Sequence, residues 1–173
     1  MVRHLLVTND YPPKIGGIQN YLWELWRRLP SDDVVVHTTP YKGSEAFDAA
    51  QDHPIIRSSE SWLLPQPVVT KRVNRLIAEH EAEVVILDPA VPVGLIGPHL
   101  DVPYGVVLHG AEVTIPGRIP GSRHLLNRVL AGASGIIAAG GYPAAEGERS
   151  LGRALPPCTI VPPGVDAERF VPL

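Results

Sequence analysis

Residues 5–25, LLVTNDYPPKIGGIQNYLWEL, constrain the fold of this chain more than any other stretch. The apolar run at its start is typical of a strand buried in a parallel sheet, and Asn9 and Asp10 follow where that strand should end. Pro12-Pro13 cannot continue a strand ladder, and Gly16-Gly17 directly precedes an amphipathic helix. This order of strand, polar turn and helix predicts an α/β site at the carboxyl edge of a sheet.

Gly16 and Gly17 allow two interpretations. Bare backbone amides at a helix start, together with the helix dipole, can hold a phosphate group. Alternatively, the loop merely needs glycine for its conformation, and the residues alone leave both readings open. The spacing differs from the G-x-G-x-x-G fingerprint, and no Walker A lysine follows the glycines, which disfavours a nicotinamide or ATP site of the usual kinds.

Strand-like apolar runs alternate with segments of helical length along the chain. The runs cover residues 5–7, 34–37, 55–56, 84–87, 105–108, 135–139 and 159–161. Alternation of this kind predicts a Rossmann-like, doubly wound parallel sheet with helices on both faces. Helical periodicity is clear after residue 20 and in a segment ending near His80, whereas residues 41–61 predict only a loop and a short strand.

Composition narrows the class of protein. A chain of 173 residues that is 45% hydrophobic predicts one domain over residues 1–173, and its net charge of -3 argues against a nucleic-acid binder. Cys158 is the lone cysteine, so a disulfide framework and a multi-cysteine metal site are excluded and a reducing compartment is expected. Without a secretory h-region or an apolar run of about 20 residues, we expect a cytoplasmic protein.

Two further strand ends supply candidates for chemistry. His109-Gly110-Ala111-Glu112 follows one apolar run, so His109 and Glu112 should reach the same crevice as the glycine pair, with Gly110 providing a sharp turn. A histidine satisfied by the backbone is the alternative. Asp88 follows another run and could bind a substrate hydroxyl, or it could cap a helix that begins near Pro92.

Two groups of cations are weaker candidates. Arg118 and Arg123 lie in an expected loop and could clamp a phosphodiester, although solvated arginines are the ordinary explanation. Lys71, Arg72 and Arg75 lie on one helix. They follow Trp62, Leu63 and Leu64, which look exposed, so this helix could rest on anionic lipid or be a solvated face.

Three motifs occur together in order: TNDYPPKIGGIQNYL, LHGAE and VPPGVDAERF. In this combination the whole chain resembles the N-terminal domain of retaining GT-B glycosyltransferases of family 4. It is most similar to actinobacterial GDP-mannose-dependent phosphatidylinositol mannoside mannosyltransferases. Those enzymes commonly have His-Gly-His-Glu where this chain has His-Gly-Ala-Glu, a difference that bears on which acceptor is bound.

The resemblance implies roles for individual residues. Gly16 and Gly17 would approach the donor diphosphate, Gln19 would lie beside the acceptor, and His109 would hydrogen-bond the transferred sugar. Electrostatic stabilisation of the leaving phosphate would supply most of the catalysis, without a metal or a cofactor. The remaining substrate-binding candidates are Asn9, Asp10, Asp88, Gly110, Glu112, Arg118 and Arg123.

The resemblance also implies that a partner domain is missing. In the family a C-terminal domain binds the nucleotide sugar, and residues 1–173 contain only the acceptor side. We therefore expect half of a transferase that moves mannose or another hexose from a nucleotide sugar, with GDP-mannose favoured, to a lipid or small hydroxyl acceptor. Alone it should be inactive, and it could associate peripherally with the inner face of the plasma membrane. The alternative is a non-catalytic Rossmann-like module that binds a phosphorylated ligand.

Overall fold

The computed structural model describes residues 2–165, in which seven strands form one parallel sheet. The spatial order is β3-β2-β1-β4-β5-β6-β7. The bounds are β1 His4–Thr8, β2 Val34–Thr38, β3 Ile55–Arg57, β4 Val84–Asp88, β5 Tyr104–Leu108, β6 Gly135–Ala138 and β7 Cys158–Ile160. The predicted Rossmann-like parallel sheet is confirmed, and each predicted apolar run overlaps one strand.

Six α-helices connect these strands within the described residues. They are α1 Gly17–Trp26, α2 Ser44–Asp48, α3 Pro67–Glu79, α4 Ala111–Arg118, α5 Pro120–Gly132 and α6 Gly141–Leu151. Two 3-10 helices, Ser31–Asp33 and Val93–His99, complete the connections. None of the helices within residues 2–165 is long and apolar enough to cross a bilayer. The motif residues from Asp166 onward lie outside the described part of the chain.

The helices cover the two faces of the sheet unequally. One face carries the larger core, which is built from α3, the second 3-10 helix, α4 and α5 against residues such as Leu87 and Val106. On the opposite face the core consists of α1 packed on β1 and β2, with Leu22 and Trp26 at its centre. An open groove of about 300 Å3 lies over β4 to β7, with Ile86 and Ile137 in its wall. Helices do lie on both faces, as predicted, but the second layer is incomplete in the described residues.

Two expectations about loops are wrong. The segment that contains Arg118 and Arg123 is helical, because Pro120 has no amide hydrogen to lose at the first position of α5 and only Ile119 separates α4 from α5. Residues 41–61 contain α2 as well as the expected short strand. Arg57 fixes α2 by donating to both carboxylate oxygens of Asp48, at 3.0 and 2.7 Å. Its guanidinium also donates to the carbonyls of Thr39 and Pro12, so it joins three loops that sequence periodicity could not connect.

Candidate active site at the carboxyl edge

The candidate site lies where the strand order reverses, between β1 and β4. Thr8 and Asp88 are register partners at the carboxyl ends of these two strands, and His109 follows the neighbouring strand β5. Open α/β sheets bind ligands at such a switch point, because the loops on either side diverge and leave a crevice. Thr8, Asp88 and His109 therefore lie at the position where the topology places a ligand.

These three residues form one hydrogen-bonded chain. The Nε2 of His109 lies 2.7 Å from Oδ1 of Asp88, and the hydroxyl of Thr8 donates to Oδ2 of Asp88 at 2.7 Å. Asp88 and Thr8 are fully buried, whereas the His109 side chain retains 9% exposure. The alternative in which Asp88 caps a helix is wrong, because the helix after it starts at Val93, where no side chain caps the amides.

The surroundings of His109 favour its charged form. Burial alone would lower its pKa, but the hydrogen bond to Asp88 and the negative charges of Asp88, Glu112 and Asp10 together raise the pKa above its ordinary value. Burial raises the pKa of Asp88, while the hydrogen bonds from His109 and Thr8 oppose that rise. A buried carboxylate beside the ring is thus the main group that stabilises an imidazolium here.

The start of α1 lies next to His109. The Tyr21 ring, one turn into α1, meets the His109 ring edge to face at a centroid distance of 5.3 Å. Gly16 has an extended φ of 169° and Gly17 is the first helical residue, so neither occupies the left-handed region that would require glycine. The conformational reading of the pair is therefore not supported. Among residues 2–165 no side chain caps these amides, and the space beside Gly17 is open.

Gly110 and Glu112 shape the turn after His109. Gly110 has a φ of 151°, which favours glycine. Both oxygens of the Glu112 carboxylate accept from the Gly110 amide, at 2.9 and 3.0 Å, and Oε1 also accepts from the His109 amide. The Glu112 carboxylate thus caps the start of α4, and its predicted contact with substrate stays a prediction.

The polar residues after β1 divide into two groups. Gln19 donates to Asp10 at 2.6 Å, and the Lys14 ammonium lies 3.7 Å from the same carboxylate, so these groups form a polar cluster beside the glycine pair. Asn9, in contrast, is buried, and its amide exchanges hydrogen bonds with the Leu63 backbone at 2.7 and 3.3 Å. A role for Asn9 in acceptor binding is not supported, because both ends of its side chain are occupied.

Arg118 of α4 and Arg123 of α5 both contact α6. Arg123 donates to the carbonyl of Ser150, near the end of α6, and α6 runs from the carboxyl edge for about 16 Å towards the opposite edge. Arg118 lies 3.7 Å from Glu146 in the middle of α6. Both arginines thus belong to helices that lead away from the carboxyl edge, and their predicted role in clamping a substrate phosphodiester stays a prediction.

Two of the three cations of α3 are held in ion pairs. Arg72 makes a bidentate ion pair with Glu60, at 2.6 and 2.7 Å, and Arg75 pairs with Glu79. Lys71 is exposed and makes no ion pair with any residue in the range 2–165. Leu63, expected to be exposed, is fully buried, whereas Trp62 is 57% exposed.

Sequence reasoning missed several residues of this edge. Thr8 and Tyr21 carry no signal of their own, because their partners lie far away in the sequence. Gly140-Gly141 does carry one: it follows the apolar run of β6 as Gly16-Gly17 follows that of β1, and it starts α6 without a side-chain cap. Among the described residues, histidine, cysteine and carboxylate side chains form no group of three or more that would hold a metal ion.

Comparisons with known proteins agree with this architecture. The model of Glycosyltransferase Family 4 matches residues 15–169. A GDP-mannose-dependent alpha-(1-6)-phosphatidylinositol monomannoside mannosyltransferase of Mycobacterium tuberculosis is 35% identical, over 99% of this chain and 47% of the relative. A Corynebacterium glutamicum enzyme, a GDP-mannose-dependent monoacylated alpha-(1-6)-phosphatidylinositol monomannoside mannosyltransferase, is 31% identical, over 97% of this chain and 45% of the relative. The chain spans about half the length of the curated relatives it matches.

Solved structures show the same fold at low sequence identity. Anabaena HepE in complex with UDP superposes with a TM-score of 0.73 at 14% identity, over 96% of this chain and 45% of HepE. Sucrose-phosphate synthase from Thermosynechococcus elongatus gives 0.70 at 13%, over 99% of this chain and 50% of the synthase. The neighbours are GT-B glycosyltransferases, and this chain matches about half of each. The family match over residues 15–169 shows that the chain belongs to glycosyltransferase family 4.

Proposed function

We propose that this chain is the acceptor-side domain of a transferase that moves mannose from GDP-mannose to a phosphatidylinositol mannoside-like lipid. The relatives at 31–35% identity are enzymes of this description, which supports both the donor and the acceptor. The observation that carries the proposal is the placement of His109 and the α1 start at one switch point, joined through Tyr21. A donor with a sugar at His109 and a diphosphate near Gly17 would fit that arrangement.

The chemistry proposed for these groups is electrostatic. Cleavage of the sugar–phosphate bond leaves negative charge on the diphosphate, and uncapped amides at a helix start stabilise such charge. His109 would hold the transferred sugar by a hydrogen bond from its ring. No step needs a cofactor from this chain, and the main nucleotide contacts would come from a second domain, as the half-length match to the relatives suggests.

The test uses this chain alone and a chimera in which it replaces the N-terminal half of the M. tuberculosis relative. We expect no mannose transfer from radiolabelled GDP-mannose by the chain alone, and transfer by the chimera. In the chimera, His109→Ala should lower kcat by about 100-fold, since removing one preorganised donor typically costs that much. His124→Ala, an exposed histidine of α5, is the matched control.

Three results would count against this proposal. Near-normal turnover of His109→Ala would remove His109 from the site, and transfer by the chain alone would overturn the need for a second domain. Tight binding of GDP-mannose by the chain alone, measured by calorimetry, would instead favour a stand-alone phosphate-binding module.

We also propose that the domain contacts an anionic membrane through the loops beside the site. Ile15 is 93% exposed and lies in the same loop as Lys14, whose ammonium sits 5.1 Å from the centre of the Trp62 ring. Leu64 and Lys71 are exposed near the same end of α3. Exposed aliphatic and indole groups beside ammonium groups match the interface of an anionic bilayer.

Liposome flotation tests this contact. We expect binding to vesicles with phosphatidylinositol and little binding to phosphatidylcholine alone, with losses for Trp62→Ser and Lys71→Glu. Arg153→Glu, just beyond the far end of α6, is the control for a change in net charge. Equal flotation on both vesicle types, or no loss in either variant, would refute the membrane contact.

A further inference from the structure

We propose that Asp88 is a positioning residue that keeps a proton on Nε2 of His109 and stabilises the imidazolium form of the ring, in which Nδ1 is a hydrogen-bond donor to substrate. This inference rests on the proposed function, because it concerns how His109 meets the sugar nucleotide. It goes further by assigning the ring nitrogen, the direction of the hydrogen bond and the residue that sets both. Thr8 supports Asp88 in this role.

The direction of each hydrogen bond follows from the donors available. The Thr8 hydroxyl accepts from the Asp10 amide at 2.9 Å and donates to Oδ2 of Asp88 at 2.7 Å, which is a much shorter contact than its 3.4 Å distance from the Asp10 carbonyl. A carboxylate only accepts, so Oδ1 of Asp88 requires the proton of His109 to be on Nε2. The network is therefore oriented from Asp10 through Thr8 to Asp88, with His109 donating from the other side.

The protonation of the ring decides whether Nδ1 of His109 donates or accepts a hydrogen bond. No hydrogen bond of His109 Nδ1 forms within residues 2–165, so this atom remains for a ligand. A neutral ring with Nε2 protonated would present Nδ1 as an acceptor, whereas an imidazolium presents it as a donor. Sugar hydroxyl and phosphate oxygens both accept from such a donor, and a phosphate that gains negative charge accepts more strongly.

The groups around the ring favour the imidazolium. Asp88 on β4 and Glu112 on α4 are carboxylates, Asp10 follows β1, and Tyr21 on α1 presents only its ring. The Lys14 ammonium lies 3.7 Å from the Asp10 carboxylate. Asp88 differs from the other two carboxylates because it alone contacts the imidazole, and it is fully buried, where an unpaired negative charge would be costly.

Imidazole 15N NMR on this chain tests the inference without any requirement for activity. His109 is assigned by comparison with His109→Gln, and the ring nitrogens are followed from pH 5 to 9. We expect a single tautomer protonated at Nε2 above the titration midpoint. In Asp88→Asn that preference should be lost and the midpoint should move to lower pH.

The control variant is Glu112→Gln, which removes a nearby negative charge without touching the ring. We expect it to keep the Nε2 tautomer and to move the midpoint less than Asp88→Asn does. A neutral ring that carries its proton on Nδ1 rather than Nε2, above the midpoint of the unmodified chain, would overturn the inference, and this result does not depend on whether Asp88→Asn or Glu112→Gln folds. Equal midpoint shifts in the two variants would also overturn it, since only general charge would then act.

A kinetic readout separates this inference from the proposed function. In the chimera, Asp88→Asn should lower kcat at least about tenfold with little change in KM, and should shift the loss of activity at high pH to a lower pH. If the chimera transfers no mannose, or His109→Ala retains activity, the proposed function fails while the NMR result still stands. If His109 is needed but Asp88→Asn leaves both kcat and the pH profile unchanged, the positioning role fails alone.

Discussion

Asp88 is a carboxylate with no exposed surface, and such a group is stable only when donors surround it. Its two oxygens have one partner each, Thr8 and His109, and both partners lie on neighbouring strand ends. The sequence indicated that Asp88 and His109 would share an edge, because parallel strands end together. It could not indicate that they touch, since that depends on the spatial order of the strands.

The coupling between Asp88 and His109 predicts a pH dependence of folding stability. The pKa of His109 is raised in the folded state, so its contribution is fully present below about pH 6.5, the unfolded value, and is lost as pH rises through the folded pKa. The free energy of unfolding should therefore fall in this window, and the fall should be absent in His109→Gln. Urea denaturation from pH 6 to 9 measures both.

The difference between the stability curves of the unmodified protein and of His109→Gln separates the contribution of His109 from those of the other histidines. Burial lowers the pKa of His37 and of His53, so these residues act with the opposite sign, below about pH 6.5. His124→Gln is the control for loss of an exposed ring. Parallel stability curves for the unmodified protein and His109→Gln would contradict the prediction.

Asn9 is predicted to stabilise the fold rather than to bind substrate. Asn9→Ala leaves a buried amide and carbonyl of Leu63 without partners, which should lower the free energy of unfolding by about 2 kcal/mol. Asn20→Ala, at an exposed position of α1, should change it by less than about 0.5 kcal/mol. Urea denaturation measures the free energy of unfolding of both variants. Equal changes in the two variants would show that the hydrogen bonds between Asn9 and Leu63 do not stabilise the fold.

At the scale of elements, the sequence predicts where a helix begins more readily than it predicts which distant residues hold that helix in place. The glycine pair and the apolar stripe located α1 correctly, because both signals are local. The region of α2 had no such signal: it is a single short helix, and its position depends on Arg57, which lies nine residues beyond Asp48. The segment through Arg118 and Arg123 carries a local signal that misleads. Its prolines suggest a loop, although Pro120 is the first residue of α5.

Arg57 should therefore be required for the order of α2. Arg57→Lys keeps the charge but loses the planar fork that reaches Asp48 and two carbonyls, so it should cost about 1.5 kcal/mol. Hydrogen exchange should accelerate in residues 44–51, with little change in the strands of the sheet. Arg75→Lys, in an exposed ion pair with Glu79, should be nearly neutral, and equal exchange in both variants would refute the role of Arg57.

At the scale of the whole molecule, the strands were predictable because buried parallel strands are apolar on both faces and stand out as continuous runs. The distribution of helices over the two faces was not predictable from such runs. Alternate residues of one strand face opposite sides of the sheet. An apolar run does not show whether helices cover both of those sides completely. The groove over β4 to β7 is the result, with Ile86 and Ile137 partly buried against the smaller core.

Because one face of the sheet is covered more completely than the other, substitutions at the neighbouring residues Ile136 and Ile137 should lower the free energy of unfolding by different amounts. Ile136 belongs to the larger core, so Ile136→Ala should lower the free energy of unfolding by about 3 kcal/mol. Ile137 faces the groove, and Ile137→Ala should cost only about 1 kcal/mol. The two substitutions are matched in chemistry and in strand, so urea denaturation compares the faces directly. A larger cost at Ile137 would mean that the groove is closed in solution.

The Tyr21 side chain joins parts of the molecule that are 140 residues apart. Its ring lies against His109, and its hydroxyl donates to the carbonyl of Val161 at 2.7 Å, directly after β7. Tyr21 also lies one turn from Gly17 in a rigid helix. Because one side chain makes both contacts, a displacement of the segment after β7 should reach the His109 ring and the start of α1 together.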